Sequence, residues 1–188
     1  MRDLMMRALD TAVTMGASYA DVRVVHYRDE SVTVRLQNVE GLTSDESLGF
    51  GVRVIVDGYW GFSSSNRMTL EEASRVAAEA VRIARASGLV RGPRANLGDP
   101  EVHVGTYRTP IQKDPFAVSL EEKIALLLKA NEAMQRVPGI VMAESNVYCQ
   151  RERKWFASTE GSFIEQELVE TGCGIEATAV DEGEVQRR

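Results

Sequence analysis

Apolar residues recur at helical spacing in three stretches and alternate with polar ones through most of the rest. Leu4, Met5, Ala8, Leu9, Ala12 and Met15 predict a helix over 4–15, with Gly16 as its stop. Thr69 to Ser87 carries a stripe of Leu70, Ala73, Val76, Ala77, Ala80, Ile83 and Ala84, small side chains suited to lying close on a sheet. Thr69-Leu70-Glu71-Glu72 fits a capping box, in which the Thr hydroxyl and a Glu carboxylate satisfy orphan amides. Glu71 and Arg75 stand at i,i+4 in the favourable order, and Gly88 sits where a C′ glycine belongs. A third helix is predicted over 119–135. It is capped by Ser119-Leu120-Glu121-Glu122, has Leu120, Ile124, Leu127, Leu128 and Met134 on its apolar face, and ends at Val137-Pro138-Gly139.

The alternating stretches predict strands. Val22, Val24 and His26 alternate with Arg23, Val25 and Tyr27 up to a turn at Arg28-Asp29-Glu30. Val32, Val34 and Leu36 then alternate with Thr33, Arg35 and Gln37, before a second turn over 38–41. A weaker strand follows near 42–45, and Val52, Val54 and Val56 share one face of a strand over 49–56. Asp57-Gly58 is a strong two-residue hairpin signal with a return strand over 59–63. Further strands are expected over 140–150, 154–158, 162–170 and 174–180. Residues 88–118 form a long connection with four of the five prolines (Pro93, Pro100, Pro110, Pro115) and one short strand over 102–104. The fold class that follows is α+β, with helices packed on an antiparallel β-sheet.

The two halves share an order of elements. A helix leads into a strand ending at Arg28-Asp29-Glu30 in one and at Arg151-Glu152-Arg153 in the other. Glu40-Gly41 answers Glu160-Gly161, Gly49-Phe50-Gly51-Val52 answers Gly172-Cys173-Gly174-Ile175, and Asp57-Gly58 answers Asp181-Glu182-Gly183, at a near-constant offset. The expectation is a duplicated helix-plus-β-meander unit, with halves 1–88 and 116–188 joined by a Pro-rich linker over 89–115; the bland alternative is that α+β meanders resemble one another. The repeat also implies that the chain stops in or after its last hairpin, as an N-terminal domain, 1–188, of a longer protein would.

Composition narrows the classes. A chain of 188 residues, 44% hydrophobic and 27% charged, is that of an ordinary globular protein. Its formal charge of −6 argues against direct nucleic-acid binding. The basic clusters Arg151-Glu152-Arg153-Lys154 and Arg187-Arg188 are short and read as solvated strand or turn residues. Cys149 and Cys173 make no disulfide framework and fit a reducing compartment. No apolar run reaches the length of a membrane span, and charges at Arg2, Asp3, Arg7 and Asp10 break up any leader-like apolar core. A cytoplasmic protein is expected.

Candidate chemistry is sparse. His26 and His103 have no His-x-x-x-His or His-Glu-x-x-His spacing, so His26 reads as a core-edge strand residue and His103 as a surface one. Ser63-Ser64-Ser65 reads as a polar loop without a nucleophile elbow, and Cys173 has no evident cationic partner. The Gly-x-Gly pairs lack the third glycine and following helix of a nucleotide loop and read as bulges or close backbone approaches. Tyr59, Trp60 and Phe62 are expected to pack on the helix 69–87, or else to line a peptide groove. No catalytic, cofactor-binding or metal-binding residue is assigned.

Taken in order, Tyr19-Ala20-Asp21-Val22-Arg23, Gly49-Phe50-Gly51-Val52-Arg53, Gly58-Tyr59-Trp60-Gly61-Phe62-Ser63 and the helix 69–87 resemble the start of TldD/PmbA proteins, which are also described as proposed modulators of DNA gyrase. Asp114-Pro115, Ser119-Leu120-Glu121-Glu122-Lys123 and Ser158-Thr159-Glu160-Gly161 extend the likeness over nearly the whole chain, closer to the TldD branch than to PmbA. The resemblance implies a zinc metallopeptidase that acts on short or unfolded peptides as a homo- or heterodimer. Its metal motif, His-Glu-x-x-x-His on a helix, lies in the more C-terminal part of such proteins and has no counterpart in this sequence. The region resembled is therefore expected to be catalytically silent, to help pair subunits and to shape a substrate channel, with zinc held only by the full-length protein. The alternative is a stand-alone module that binds peptide by β-strand addition.

Overall fold

The amphipathic stretches fold as their spacing predicts, and the strands run longer than predicted. A computed structural model describes residues 1–90, 92–98 and 101–188. Arg91, Asp99 and Pro100, in the expected linker, lie outside the described residues. The order is α1 (Arg2–Thr14), β1 (Tyr19–Arg35), β2 (Asn38–Val56), β3 (Tyr59–Ser65), α2 (Leu70–Ser87), β4 (Val104–Arg108), a single 3-10 turn (Pro115–Ala117), α3 (Leu120–Gln135), β5 (Ile140–Ser158), β6 (Phe163–Asp181) and β7 (Glu184–Arg187). The α+β expectation holds: three helices pack against a seven-stranded sheet ordered β3-β2-β1-β5-β6-β4, with β7 on β6. β2 pairs with β3 and β6 with β7 in antiparallel register, while the short β4 lies parallel to β6, Val104 opposite Phe163.

One expected turn and two expected strand breaks are absent. β1 passes straight through the turn placed at Arg28-Asp29-Glu30, β2 joins the strands expected near 42–45 and over 49–56 into one, and β5 runs through Arg151-Glu152-Arg153. The charges in these triplets have partners on neighbouring elements: Glu30 pairs with Lys123, Arg151 with Asp114 at 2.8 Å, and Arg153 with Glu167 at 3.3 Å. The turn placed at 38–41 falls instead at Leu36-Gln37, where Leu36 takes φ 53°. The hairpins at Asp57-Gly58 and Glu182-Gly183 form as read, with both residues of each at positive φ, the mark of the turn type that suits twisted strands. The short strand near 102–104 lies two residues later, as β4.

The helix caps differ in detail. Ser119 and Glu122 form the full capping box on α3. On α2 the Thr69 hydroxyl accepts from Glu72 N, but the Glu72 carboxylate turns to Arg75, at 2.7 Å, so the expected Glu71–Arg75 pair is replaced by an i,i+3 pair. Gly88 caps α2 in a right-handed conformation; a Cβ there would stand 3.0 Å from the Tyr59 ring. Leu70 and Ile83 are exposed, and Val81 takes the inward place.

Two compact units are formed. The first comprises 1–26, 47–108 and 152–167. Its core joins Met5, Ala8 and Ala12 of α1, Val22 and Val24 of β1, Val52 and Val54 of β2, and Ala73, Val76, Ala77, Ala80 and Val81 of α2. α2 lies close on β3 because Gly61 has no side chain: a Cβ there would overlap the Ala80 carbonyl and stand 2.6 Å from Ala84 N. The second comprises 27–46, 109–151 and 168–188. Its smaller core sets Val32 and Val34 against Leu127, with Leu120, Ile124, Leu128 and Val147 around them. Asn131, fully buried on α3, donates through Nδ2 to the carbonyls of Val34 (3.0 Å), Leu36 (2.9 Å) and Ala143 (3.3 Å), tying the helix to two strands.

Candidate functional site

Strand alternation gives the first unit a face turned away from its helices. Ala20, Val22 and Val24 point into the core, so Tyr19, Asp21 and Arg23 point the other way; Arg53 does so on β2, and Trp60 and Phe62 on β3. These residues form one cluster. Asp21, 2% exposed, accepts from Tyr19 Oη at 2.9 Å and from Arg53 Nε at 2.8 Å, with Arg23 Nε 3.9 Å away. Arg53 stacks 4.7 Å over the Trp60 ring, and Tyr19 meets Trp60 edge-on at 6.1 Å. Arg23 stacks over Phe156 at 5.4 Å. Burial, reinforced by the Asp21 charge and hydrogen bond, pushes the Tyr19 phenol up to about 12. The phenol is therefore a donor at neutral pH and no base. The cluster presents aromatic and guanidinium surface: Trp60 is 36% and Phe62 57% exposed. Of the three aromatics expected on α2, only Tyr59 reaches it, at Gly88. Trp60 and Phe62 cannot, because Gly61 between them is the residue that faces the helix.

The same unit holds a groove of about 500 Å³ between α1 and the β5–β6 turn. Met6, Leu9 and Val13 line it from the helix and Phe163 from the strand; Arg2 and Asp10 stand along the helix side, and Ser158 and Thr159 come from the turn. Arg2 stacks 5.0 Å over the Phe163 ring.

In the second unit a phenyl ring is enclosed by cations. Phe116 lies 4.7 Å from Arg28, 5.0 Å from Arg151 and 5.9 Å from Lys123. Lys123, 6% exposed, pairs with Glu30, and Arg151 with Asp114, so the ring sits within two ion pairs. Hydrogen bonding from Arg151 and from Phe116 N holds the Asp114 carboxyl below the usual carboxylate range. This is a tie between the 3-10 turn, α3 and the strands.

The residues weighed from sequence are dispersed. His26 lies half-buried in β1, as read. His103 is exposed, with Nε2 3.7 Å from Glu101. Cys149 is buried with Sγ 3.6 Å from Thr171 Oγ1, and Cys173 is an exposed free thiol. Ser63, Ser64 and Ser65 lie within β3 and not in a loop, because the ladder with β2 runs to Phe50 opposite Ser65. The Gly-x-Gly pairs are close approaches: a Cβ at Gly51 would stand 2.7 Å from the Phe62 ring, and one at Gly172 would overlap the Tyr148 ring. Among the described residues no three His, Cys, Asp or Glu side chains gather as metal ligands. The donor set among the described residues therefore does not fit the zinc ion that the resemblance implies. Among the described residues, no helix is long and apolar enough to cross a membrane. The Asp21 cluster was missed from sequence; its signal was an aspartate inside an otherwise apolar strand start.

Comparison with known proteins agrees along the chain. Residues 20–84 match PmbA/TldA metallopeptidase domain 1, and residues 113–188 match the PmbA/TldA metallopeptidase central domain. A metalloprotease from Methanocaldococcus jannaschii is 26% identical over 170 residues, covering 89% of this chain and 37% of that protein. The chain thus spans little more than a third of the curated relatives' length. TldE from Thermococcus kodakarensis superposes with a TM-score of 0.74 at 14% identity, covering 97% of this chain and 40% of that one. A proposed modulator of DNA gyrase from Bacteroides thetaiotaomicron gives 0.71 at 21% identity, covering 99% and 42%.

Proposed function

Because this chain belongs to the PmbA/TldD metallopeptidase family, as its N-terminal portion, we propose that it is the non-catalytic part of a zinc-dependent peptidase that cleaves small or unfolded peptides. The observation that carries this reading is the succession of the family's first and central domains along a chain that covers 37% of a metalloprotease relative. Zinc and the residues that act on water belong, on this reading, to the remainder of the full-length protein, which is cytoplasmic. Residues 1–88 and 116–188 are read as duplicated units, supported by the order helix, two long strands and hairpin strand in both.

The role assigned to the chain is subunit pairing and shaping of the substrate channel. Support for pairing comes from the helix-free face of the first unit, where Trp60 and Phe62 are exposed beside Arg23 and Arg53. Light scattering on the complete gene product tests it. Trp60→Ala with Phe62→Ser is expected to convert dimer to monomer without changing zinc content. A dimer that survives both substitutions overturns the assignment of pairing to this face.

A second reading, a stand-alone module that binds peptide by strand addition, is favoured by β4. All five of its residues are exposed, and it ends the sheet order. Phe163 N donates to His103 O, which sets the parallel ladder so that Gly105 and Tyr107 turn their backbone groups to β6 while Val104, Thr106 and Arg108 turn theirs outward.

A further inference from the structure

We propose that the groove between α1 and the β5–β6 turn binds a short unblocked peptide, of about four residues, with its carboxylate at Arg2 and its ammonium at Asp10. The inference rests on the peptidase reading only for the source of such peptides.

Size is the first argument. The groove holds about 500 Å³, within the roughly 300–1,000 Å³ of small-ligand clefts. Arg2 and Asp10 both line it and are eight residues apart on one straight helix, which places them about 12 Å apart along the axis. An extended chain advances about 3.3–3.6 Å per residue, so about four residues span that distance.

Charge is the second. The charged groups along the α1 side of the groove are opposite in sign and separated, which complements the separated termini of a peptide and not a single anion or cation. Among the described residues neither makes an ion pair: Arg2 has Phe163 as its partner, through the ring face. A guanidinium stacked on a ring still presents its N–H edge to a carboxylate. Asp10 is exposed eight residues further along the helix.

Surface chemistry is the third. Between the charges the helix wall is Met6 and Leu9, with Phe163 on the strand side, and Val13, 52% exposed, continues the groove beyond Asp10. An exposed valine in an apolar groove gains by covering, and an aliphatic peptide side chain is a group that covers it.

The test is a titration of the isotopically labelled 188-residue chain, followed by amide chemical shifts, with Ala-Leu-Leu-Ala as the probe. The peptide is used with free termini, as its C-terminal amide and as its N-acetyl form. Saturable shifts are expected on α1 and on 158–163, and each blocked end is expected to weaken binding about fivefold, the worth of one exposed ion pair. Arg2→Gln is expected to make acid and amide bind alike, Arg2→Lys to restore the difference, and Asp10→Asn to make amine and N-acetyl forms bind alike. Equal affinity for all three peptides, shifts confined elsewhere, or no saturable binding overturns the proposal. Hydrolysis by the complete gene product without such binding sinks this inference and spares the peptidase reading. Binding beside a complete product that has no peptidase activity does the reverse.

Discussion

Tyr19 shows how one buried polar residue organises a surface. Its hydroxyl, the Asp21 carboxylate and the Arg53 guanidinium satisfy one another, so an aspartate 2% exposed is tolerated on a sheet face. The phenol ionises at 10.0 when unperturbed and at about 12 in the fold, chiefly because burial disfavours the phenolate and the Asp21 charge adds to it. A folded pKa above the unfolded one means that the stability tied to the neutral phenol is fully present below pH 10 and is lost as pH rises through about 12. Urea unfolding across that window is expected to show a steeper loss of stability for the native chain than for Tyr19→Phe. Identical slopes for the two would contradict the account. The residue was legible in part: Tyr19 and Asp21 carried the family likeness, but nothing local told that Arg53, on another strand, would lie beside them. That partnership follows from register, which alternation alone leaves free.

Among elements, the decisive contact is α2 on β3. The small-residue stripe of Ala73, Ala77, Ala80 and Ala84 was readable, and it lets the helix backbone approach until Gly61 leaves no room for a Cβ. Gly61→Ala is therefore expected to destabilise the chain by about 2–3 kcal/mol, since backbone must move to admit the methyl group. Gly105→Ala, where a Cβ meets nothing within 4 Å, is expected to fall within about 0.5 kcal/mol of the native chain. Denaturant midpoints of the two variants check the pair, and equal effects would contradict the close approach. Helices were legible because their periodicity and caps are local: Ser119 and Glu122 lie within one turn of each other. Strand continuity was not. Arg28-Asp29-Glu30 reads as a turn and Arg151-Glu152-Arg153 as a strand end because charge clusters usually mark solvent. Here Arg28 lies on Phe116, Glu30 on Lys123 and Arg151 on Asp114, partners far away in sequence. Glu72 makes the same point at the start of α2. Its side chain met the spacing of a capping box but went to Arg75, whose hydrogen bonds hold its carboxyl down at about 2.

For the whole molecule, the sequence disclosed the family more readily than the site. Two successive family domains match the chain, and solved relatives superpose along nearly its full length. The two surfaces proposed to act, by contrast, are built from single residues on separate elements: Trp60 with Arg53 and Tyr19, and Arg2 with Phe163. None of these juxtapositions has a short-range motif. His26 and His103, the residues a metal reading would reach for first, are not brought into any ligand group among the described residues. The central claim is that this chain is the non-catalytic N-terminal part of a zinc peptidase. It is tested most directly by measuring zinc content and hydrolysis of unfolded casein for the 188-residue chain and for the complete gene product, side by side. The account predicts stoichiometric zinc and hydrolysis in the complete product and neither in the chain alone. Zinc or hydrolysis in the chain alone would contradict it and return attention to His26, His103 and their acidic neighbours.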